Sequence, residues 1–187
     1  MGFDRSRQEL ISQGNMEPDH HILDLGCGTG TFIVRLKRNY PTAQVIGLDP
    51  DPKALRRAEA KFRRAGLSVQ LDRGFSDQLP YKDESFDRVF SSFMFHHLDD
   101  QQRESTLKEV FRVLKPRGSF HLLDFVPKDG AHGFIDRFLH SHARLKDNTQ
   151  ERILDLMGRA GFAESKKLKE ESMFLGLMRT AYYAANV

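Results

Sequence analysis

The stretch Asp24-Leu25-Gly26-Cys27-Gly28-Thr29-Gly30 places three glycines within five residues, between two apolar runs. Glycine lacks a Cβ, so such a cluster marks backbone that must take positive φ or come close to something else. A glycine-rich turn from the carboxyl end of a strand into a helix gathers backbone N–H groups around whatever lies above the sheet. Spacing then narrows the ligand. Counting from Gly26, the third glycine comes one residue too early for the G-x-G-x-x-G dinucleotide fingerprint, where Thr31 stands instead. A P-loop closes on Gly-Lys-Ser/Thr, and no lysine precedes Lys37. Nicotinamide, flavin and nucleoside triphosphate are all disfavoured.

Around this turn, short apolar runs alternate with helix-period segments. Residues 21–27, 44–48, 68–71, 86–93 and 119–126 read as strands bounded by glycine, proline or acidic turn residues. Helices are expected over 31–38 and 52–64, the second with proline at its start, where the missing N–H costs least. Leu107, Val110, Phe111 and Leu114 follow i, i+3, i+4, i+7 spacing and predict a helix over 100–115, stopped by Lys115-Pro116-Arg117-Gly118. Further on, Phe134, Ile135, Phe138, Leu139, His142 and Leu145 mark one amphipathic helix, and Ile153, Leu154, Met157 and Ala160 another, capped by Gly161. Segments 163–170 and 173–184 then read as two strands with no helix between them, an antiparallel pair at a sheet edge. The alternation predicts an α/β fold: a Rossmann-like three-layer sandwich with a seven-stranded, mostly parallel sheet, one antiparallel edge strand and helices on both faces.

The 187 residues, with 39% hydrophobic content and 15 phenylalanines, fit a single domain over 1–187 with a full core. A lone cysteine, Cys27, rules out an intramolecular disulfide and a metal site built on several thiolates, and suits a cytoplasmic setting. Neither a signal peptide nor a membrane span is apparent. A net charge of +3 is too mild to announce a nucleic-acid binder. The densest basic cluster, Arg56, Arg57, Lys61, Arg63 and Arg64, falls opposite the apolar stripe Ala54, Leu55, Ala58, Phe62 and Ala65, and reads as a solvated helix face.

With an acidic residue ending the next strand, D-x-G-x-G-x-G resembles the class I S-adenosylmethionine-dependent methyltransferases, particularly the small-molecule branch of the ubiquinone and menaquinone biosynthesis enzymes. The matching pieces are HILDLGCGTG, VIGLDPD, LPYKDESFDRVFSSFMFHHL, EVFRVLKPRGSFHLLDF and AGF with a paired-strand tail, in the family's order across residues 21–183. The resemblance implies S-adenosylmethionine as cofactor. Asp24 and the N–H groups of Gly26, Cys27, Gly28 and Gly30 can supply opposite partners for the methionine ammonium and carboxylate. Asp49 can accept from both ribose hydroxyls, while Asp51 is the better helix N-cap. Pro50 and Phe75 can pack on the adenine, Ser76 can offer its backbone N–H, Asp77 can rotate in, and Ser92 completes the cofactor set at the end of the fourth strand. In the family an acidic residue usually stands where Phe75 does. Losing that hydrogen bond weakens affinity by about 1 kcal/mol without abolishing it.

Methyl transfer from a sulfonium is an in-line displacement in which the leaving group departs neutral, so alignment of the acceptor matters most. A base helps for hydroxyl, phenol or protonated amine acceptors, and His96 and His97, at the carboxyl edge of the fourth strand, are the catalytic candidates. Cys27 reads as a small packing residue and not a nucleophile. His142 reads as a core residue; His132 and His140 stay open. The run Phe93-Met94-Phe95 replaces the Asn/Asp-Pro-Pro-Tyr tetrapeptide of amide and amino N-methyltransferases, and suggests an apolar acceptor pocket. Residues 1–20 alone precede the strand that carries the glycine turn, so the family's N-terminal lid is expected to be short or missing. Residues 127–148, a homodimer mate or another partner subunit could replace it. The expected function is methylation of a small, partly apolar molecule. A non-catalytic cofactor-binding module and an RNA or protein methyltransferase using residues 56–64 are the rivals.

Overall fold

The computed structural model describes residues 2–127, 148–173 and 178–187. In chain order the elements are α1 (Phe3–Gln13), β1 (His21–Leu25), α2 (Thr31–Asn39), β2 (Gln44–Asp49), α3 (Pro52–Arg64), β3 (Gln70–Arg73) and β4 (Phe86–Ser92). A short 3₁₀ turn (Phe95–His97), α4 (Asp100–Val113), β5 (Leu114–Val126), α5 (Gln150–Ala160), β6 (Glu164–Met173) and β7 (Met178–Asn186) follow. The predicted helix over 134–145 and the histidines His132, His140 and His142 lie outside the described residues.

All seven strands join one sheet in the order β3-β2-β1-β4-β5-β7-β6. The first five are parallel, and β7 runs antiparallel to both β5 and β6. The expected antiparallel pair is therefore present, with β7 inserted between β5 and β6 so that the outermost strand again points with the others. Strand order reverses between β1 and β4. This is the switch point where open parallel sheets leave a crevice beyond their carboxyl ends.

Alternating side chains feed two cores. Leu23, Val89, Leu122 and Tyr183 pack with Leu107 and Val110 of α4 and Ile153 and Leu156 of α5. Their strand neighbours Ile22, Phe90, Leu123 and Tyr182 pack with Leu10 and Ile11 of α1, Phe32 and Leu36 of α2, and Phe62 of α3. With both faces covered, the central strands read as continuous apolar runs instead of alternating ones. The helix ends follow local chemistry: Asp51 caps α3 through the Lys53 N–H at 2.8 Å, and Asp99 and Gln102 form a reciprocal capping box on α4. Gly161 closes α5 at φ 113°. No helix among the described residues is long and apolar enough to cross a membrane.

Several boundaries differ from the sequence reading: β1 ends at Leu25 and not at 27, β3 covers Gln70–Arg73 and not 68–71, and β5 begins at Leu114 and not at 119. The helix predicted to reach residue 115 stops at Val113, because the Lys115-Pro116-Arg117-Gly118 stretch is already inside β5. More consequentially, residues 3–13, for which no element was predicted, form α1. Its composition is polar, and burial comes only at Ser6, Leu10 and Ile11. Docking holds it in place. Arg88 on β4 donates to the carbonyls of Gly14 at 2.7 Å and Asn15 at 3.1 Å, and Asp4 lies 3.4 Å from Arg35 of α2.

Candidate functional site

The glycine turn is folded over the end of β2. Gly26 and Cys27 donate their N–H groups to Leu48 O at 2.8 and 3.0 Å, and Gly26, Gly28 and Gly30 take φ values of 73, 52 and 72°. At Gly26 a Cβ would stand 2.4 Å from the Met94 side chain, so close approach and positive φ both demand glycine. Gly30 has a different duty. Its α-carbon faces Phe62 and Ala58, and it serves as the left-handed N-cap that lets α2 pack on α3.

Beyond this turn lies a cavity of about 290 Å³ lined by Arg7, residues 26–29, Thr31, Phe32, Asp49, residues 92–94 and His97. Of the predicted cofactor residues, Gly26, Cys27, Gly28, Asp49 and Ser92 face it directly. Asp49 accepts from Gly28 N–H at 2.8 Å through one carboxylate oxygen and from Asp51 N–H at 2.9 Å through the other, which fixes its orientation at the rim. Asp24, in β1 two residues before Gly26, is not among the residues lining the cavity; it is only 1% exposed, and neither of its oxygens has a hydrogen-bond partner. Burial raises its carboxyl to about 7, with Arg7 pulling the other way.

Pro50, Phe75, Ser76 and Asp77 follow β2 and β3 at the same edge but outside the cavity lining. The two loops are tied by Arg73 Nε to Pro50 O at 3.3 Å and Gly74 N–H to Asp49 O at 3.3 Å. Ser76 Oγ lies 2.8 Å from Thr106 Oγ1 on α4, and Phe75 is 65% exposed.

The predicted histidine pair separates. His96 is buried, with its N–H on Asp124 Oδ2 at 2.7 Å and its Nδ1 2.6 Å from Asp124 Oδ1, and is not among the residues lining the cavity. His97 is exposed and lines the cavity, with its ring centroid 4.0 Å from that of His96. Beside it, Phe93 takes φ 59°, a costly conformation for an aromatic residue. It is held there by its N–H on Leu123 O at 2.8 Å and by the rings of Phe3 and Phe125 at 5.1 and 4.9 Å. The three rings form an apolar cluster of which Phe93 lines the cavity.

Cys27 is buried, and desolvation together with Asp24 and Asp49 pushes its thiol well above the ordinary range, which leaves no thiolate for nucleophilic chemistry. Arg56, Arg57, Arg63 and Arg64 are exposed on α3 and none lines the cavity. Lys61 turns back instead, donating to Thr29 Oγ1 at 3.1 Å and Thr31 Oγ1 at 2.6 Å and so bracing the glycine turn.

Sequence reasoning missed Arg7 and Asp124. Asp124 stood in the motif HLLDF but was given no task. Arg7 could have been found from the spacing of Phe3, Arg7 and Leu10 at i, i+4, i+7, a weak signal in so polar a segment.

Comparison with known proteins agrees with this geometry. Residues 22–118 match the family model described as a methyltransferase domain. The chain is 33% identical over 144 residues to a demethylmenaquinone methyltransferase of Deinococcus radiodurans, covering 76% of this chain and 59% of that protein. The chain spans 49–60% of the length of the first curated relatives it matches. The YcgJ protein of Bacillus subtilis superposes with a TM-score of 0.79 at 18% identity, covering 98% of both chains. Phosphoethanolamine N-methyltransferase 2 of Haemonchus contortus, in complex with S-adenosyl-L-methionine, superposes with a TM-score of 0.80 at 18% identity, covering 99% of this chain and 52% of that one. A glycine turn at the sheet's switch point, an acidic end to β2 and a family match across the whole β1–β4 core lead to one conclusion: the chain belongs to the class I S-adenosylmethionine-dependent methyltransferase family.

Proposed function

We propose that this chain binds S-adenosylmethionine in the cavity beyond β1, β2 and β4 and directs its methyl group to a small, partly apolar acceptor. The observation that carries the reading is the buried Asp24, a carboxylate without a donor beside a glycine turn whose Gly28 would leave a Cβ in open space. A buried polar group without a partner is costly, and an ammonium is the natural ligand for it. Asp49, already oriented at the rim, is suited to a pair of vicinal hydroxyls, and the exposed Phe75 and Pro50 to the faces of a flat base. Bound there, the cofactor supplies an electrophilic methyl on a sulfonium.

The protein's own part is positioning. Phe93, Met94 and the neighbouring rings offer an apolar surface for the acceptor, and His97 on the cavity wall can take a proton from a hydroxyl or phenol as the methyl is transferred. Because relatives are named as demethylmenaquinone methyltransferases, aromatic hydroquinones are the first acceptors to screen. We read residues 1–187 as one methyltransferase domain, with a second copy or a partner subunit as a further cover for the site. A cytoplasmic setting fits the lone buried cysteine.

Titration calorimetry with S-adenosylhomocysteine tests the reading. Micromolar binding is expected, weakened tenfold or more in Asp49→Ala, about 1.4 kcal/mol, with no heat from NADH. Absence of binding, or binding indifferent to Asp49, would sink it.

A further inference from the structure

Among the described residues, Asn15, Glu84, Phe93 and Arg117 are the non-glycine residues with positive φ. Asn15, Glu84 and Arg117 are exposed polar side chains, and none of them lines the cavity. Phe93 is the exception: an aromatic residue directly after β4, half-buried and on the cavity lining. A bulky side chain makes left-handed backbone costly, whereas glycine adopts it freely. Core packing does not account for the aromatic residue here. A ring needed only to fill the core would be sealed, as Phe95 is at 0% exposure two residues later. What holds Phe93 comes from two distant elements. Its N–H meets Leu123 O of β5 at 2.8 Å, and its ring meets Phe125 of β5 at 4.9 Å. From α1, the Phe3 ring stands edge-on at 5.1 Å and the Arg7 guanidinium lies 5.5 Å from the Phe93 centroid. Strained backbone persists where surrounding contacts over-determine it, and such positions cluster at functional sites.

We propose that Phe93 is the specificity-determining residue for the acceptor: its locked ring selects a planar aromatic acceptor, which joins the cluster of Phe3, Phe93 and Phe125 as a fourth ring, over a saturated ring of similar outline. This rests on the methyl-transfer reading of the same cavity and deepens it. Aromatic rings meeting edge-to-face or offset gain more than the burial of their area, while a saturated ring gains the area alone. The locked backbone matters because in-line displacement tolerates little misplacement of the acceptor. A ring held by contacts from α1 and β5 is a fixed surface against which a flat molecule is set at one angle. His97 lines the same cavity, so an aromatic hydroxyl held against Phe93 shares one chamber with the group that can take its proton.

The test uses 2-naphthol and decahydro-2-naphthol, which carry the same hydroxyl on a planar aromatic and a saturated frame, with the full chain saturated by S-adenosylhomocysteine. The chain has no tryptophan, so naphthol fluorescence follows the first probe directly, and the second is measured by displacing it. The wild type is expected to bind 2-naphthol about fivefold more tightly than the saturated alcohol. Phe93→Leu should bring the two affinities within about twofold while leaving S-adenosylhomocysteine binding within about twofold, and Phe93→Tyr should keep the preference. Equal affinities in the wild type, or a preference that survives in Phe93→Leu, would overturn the assignment. The strain has its own readout: Phe93→Gly and Phe93→Ala both lack the ring, and the glycine variant should unfold at the higher urea concentration. The reverse order would remove the strain on which the assignment rests. If Phe93→Leu shows no cooperative thermal transition, the wild-type ratio decides alone. Failure of the wild type to bind S-adenosylhomocysteine would reject the cofactor reading beneath the assignment, whereas binding of S-adenosylhomocysteine with no preference between the alcohols rejects the assignment only.

Discussion

Asp24 and Asp124 lie near the carboxyl ends of β1 and β5, on either side of β4, and both are sealed from solvent at 1% and 0% exposure. Their surroundings differ completely. Asp124 accepts from His96 N–H, from Phe125 N–H at 2.8 Å, and faces His96 Nδ1 at 2.6 Å. Asp24 accepts from nothing. A fully satisfied buried carboxylate is a structural pin, here fixing the turn that carries His97. An orphaned one is a standing cost that folding alone does not explain, and the proposed function is built on it.

The comparison predicts a hierarchy of effects. Asp124→Ala should be the most damaging, since it strands two backbone N–H groups and the His96 ring in the core. A loss of about 3–5 kcal/mol in urea unfolding is expected, the range for removing one partner of a buried network. A loss below about 1 kcal/mol would erase the distinction between the two aspartates.

Asp24→Asn should behave in the opposite way, weakening S-adenosylhomocysteine tenfold or more while leaving stability at pH 8 unchanged or raised. The pH dependence sharpens this. Burial lifts the folded Asp24 carboxyl to about 7, against 3.8 as the ordinary value. Between those values the folded state holds a proton that the unfolded chain has released. Asp24 therefore favours folding at low pH, and that contribution is lost as pH rises from about 4 through about 7. Unfolding curves of wild type and Asp24→Asn should diverge across this window, with the wild type losing relative stability; parallel curves would break the argument.

Asp87 supplies the smallest effect. It accepts from His21 N–H at 2.9 Å and Lys115 Nζ at 2.8 Å in a partly exposed setting. Partial burial pushes its pKa up, but Lys115 and the His21 N–H outweigh that and bring it below the ordinary value. Its contribution is present at neutral pH and fades as pH falls through the folded pKa. Asp87→Asn should cost less than about 1 kcal/mol at pH 7 by chemical denaturation, as exposed pairs do.

Much of this architecture was readable from local pattern. The glycine spacing, the acidic end of β2 and the period of α4 each depend on residues close in sequence, so DLGCGTG, VIGLDPD and the Leu107-to-Leu114 repeat could be interpreted one at a time. The two histidines show where such reading stops. His96 and His97 are adjacent and chemically identical, and only the placement of Asp124 from a distant strand makes one a core residue and the other a cavity residue.

What the sequence by itself determined is the parallel α/β frame, the glycine turn and the acidic end of β2 that meet at the cavity, and the family. Short-range constraints do that work: a glycine is needed where φ is positive, and apolar runs where both sheet faces are covered. Tertiary structure alone decided that a polar N-terminal segment becomes α1, that Arg7 reaches the cavity, that β7 enters the sheet inside β6, and that Asp24 stays unpartnered while Asp124 does not. Each of these depends on contacts between residues far apart in the chain, where burial and charge pairing exist only after the sheet has assembled.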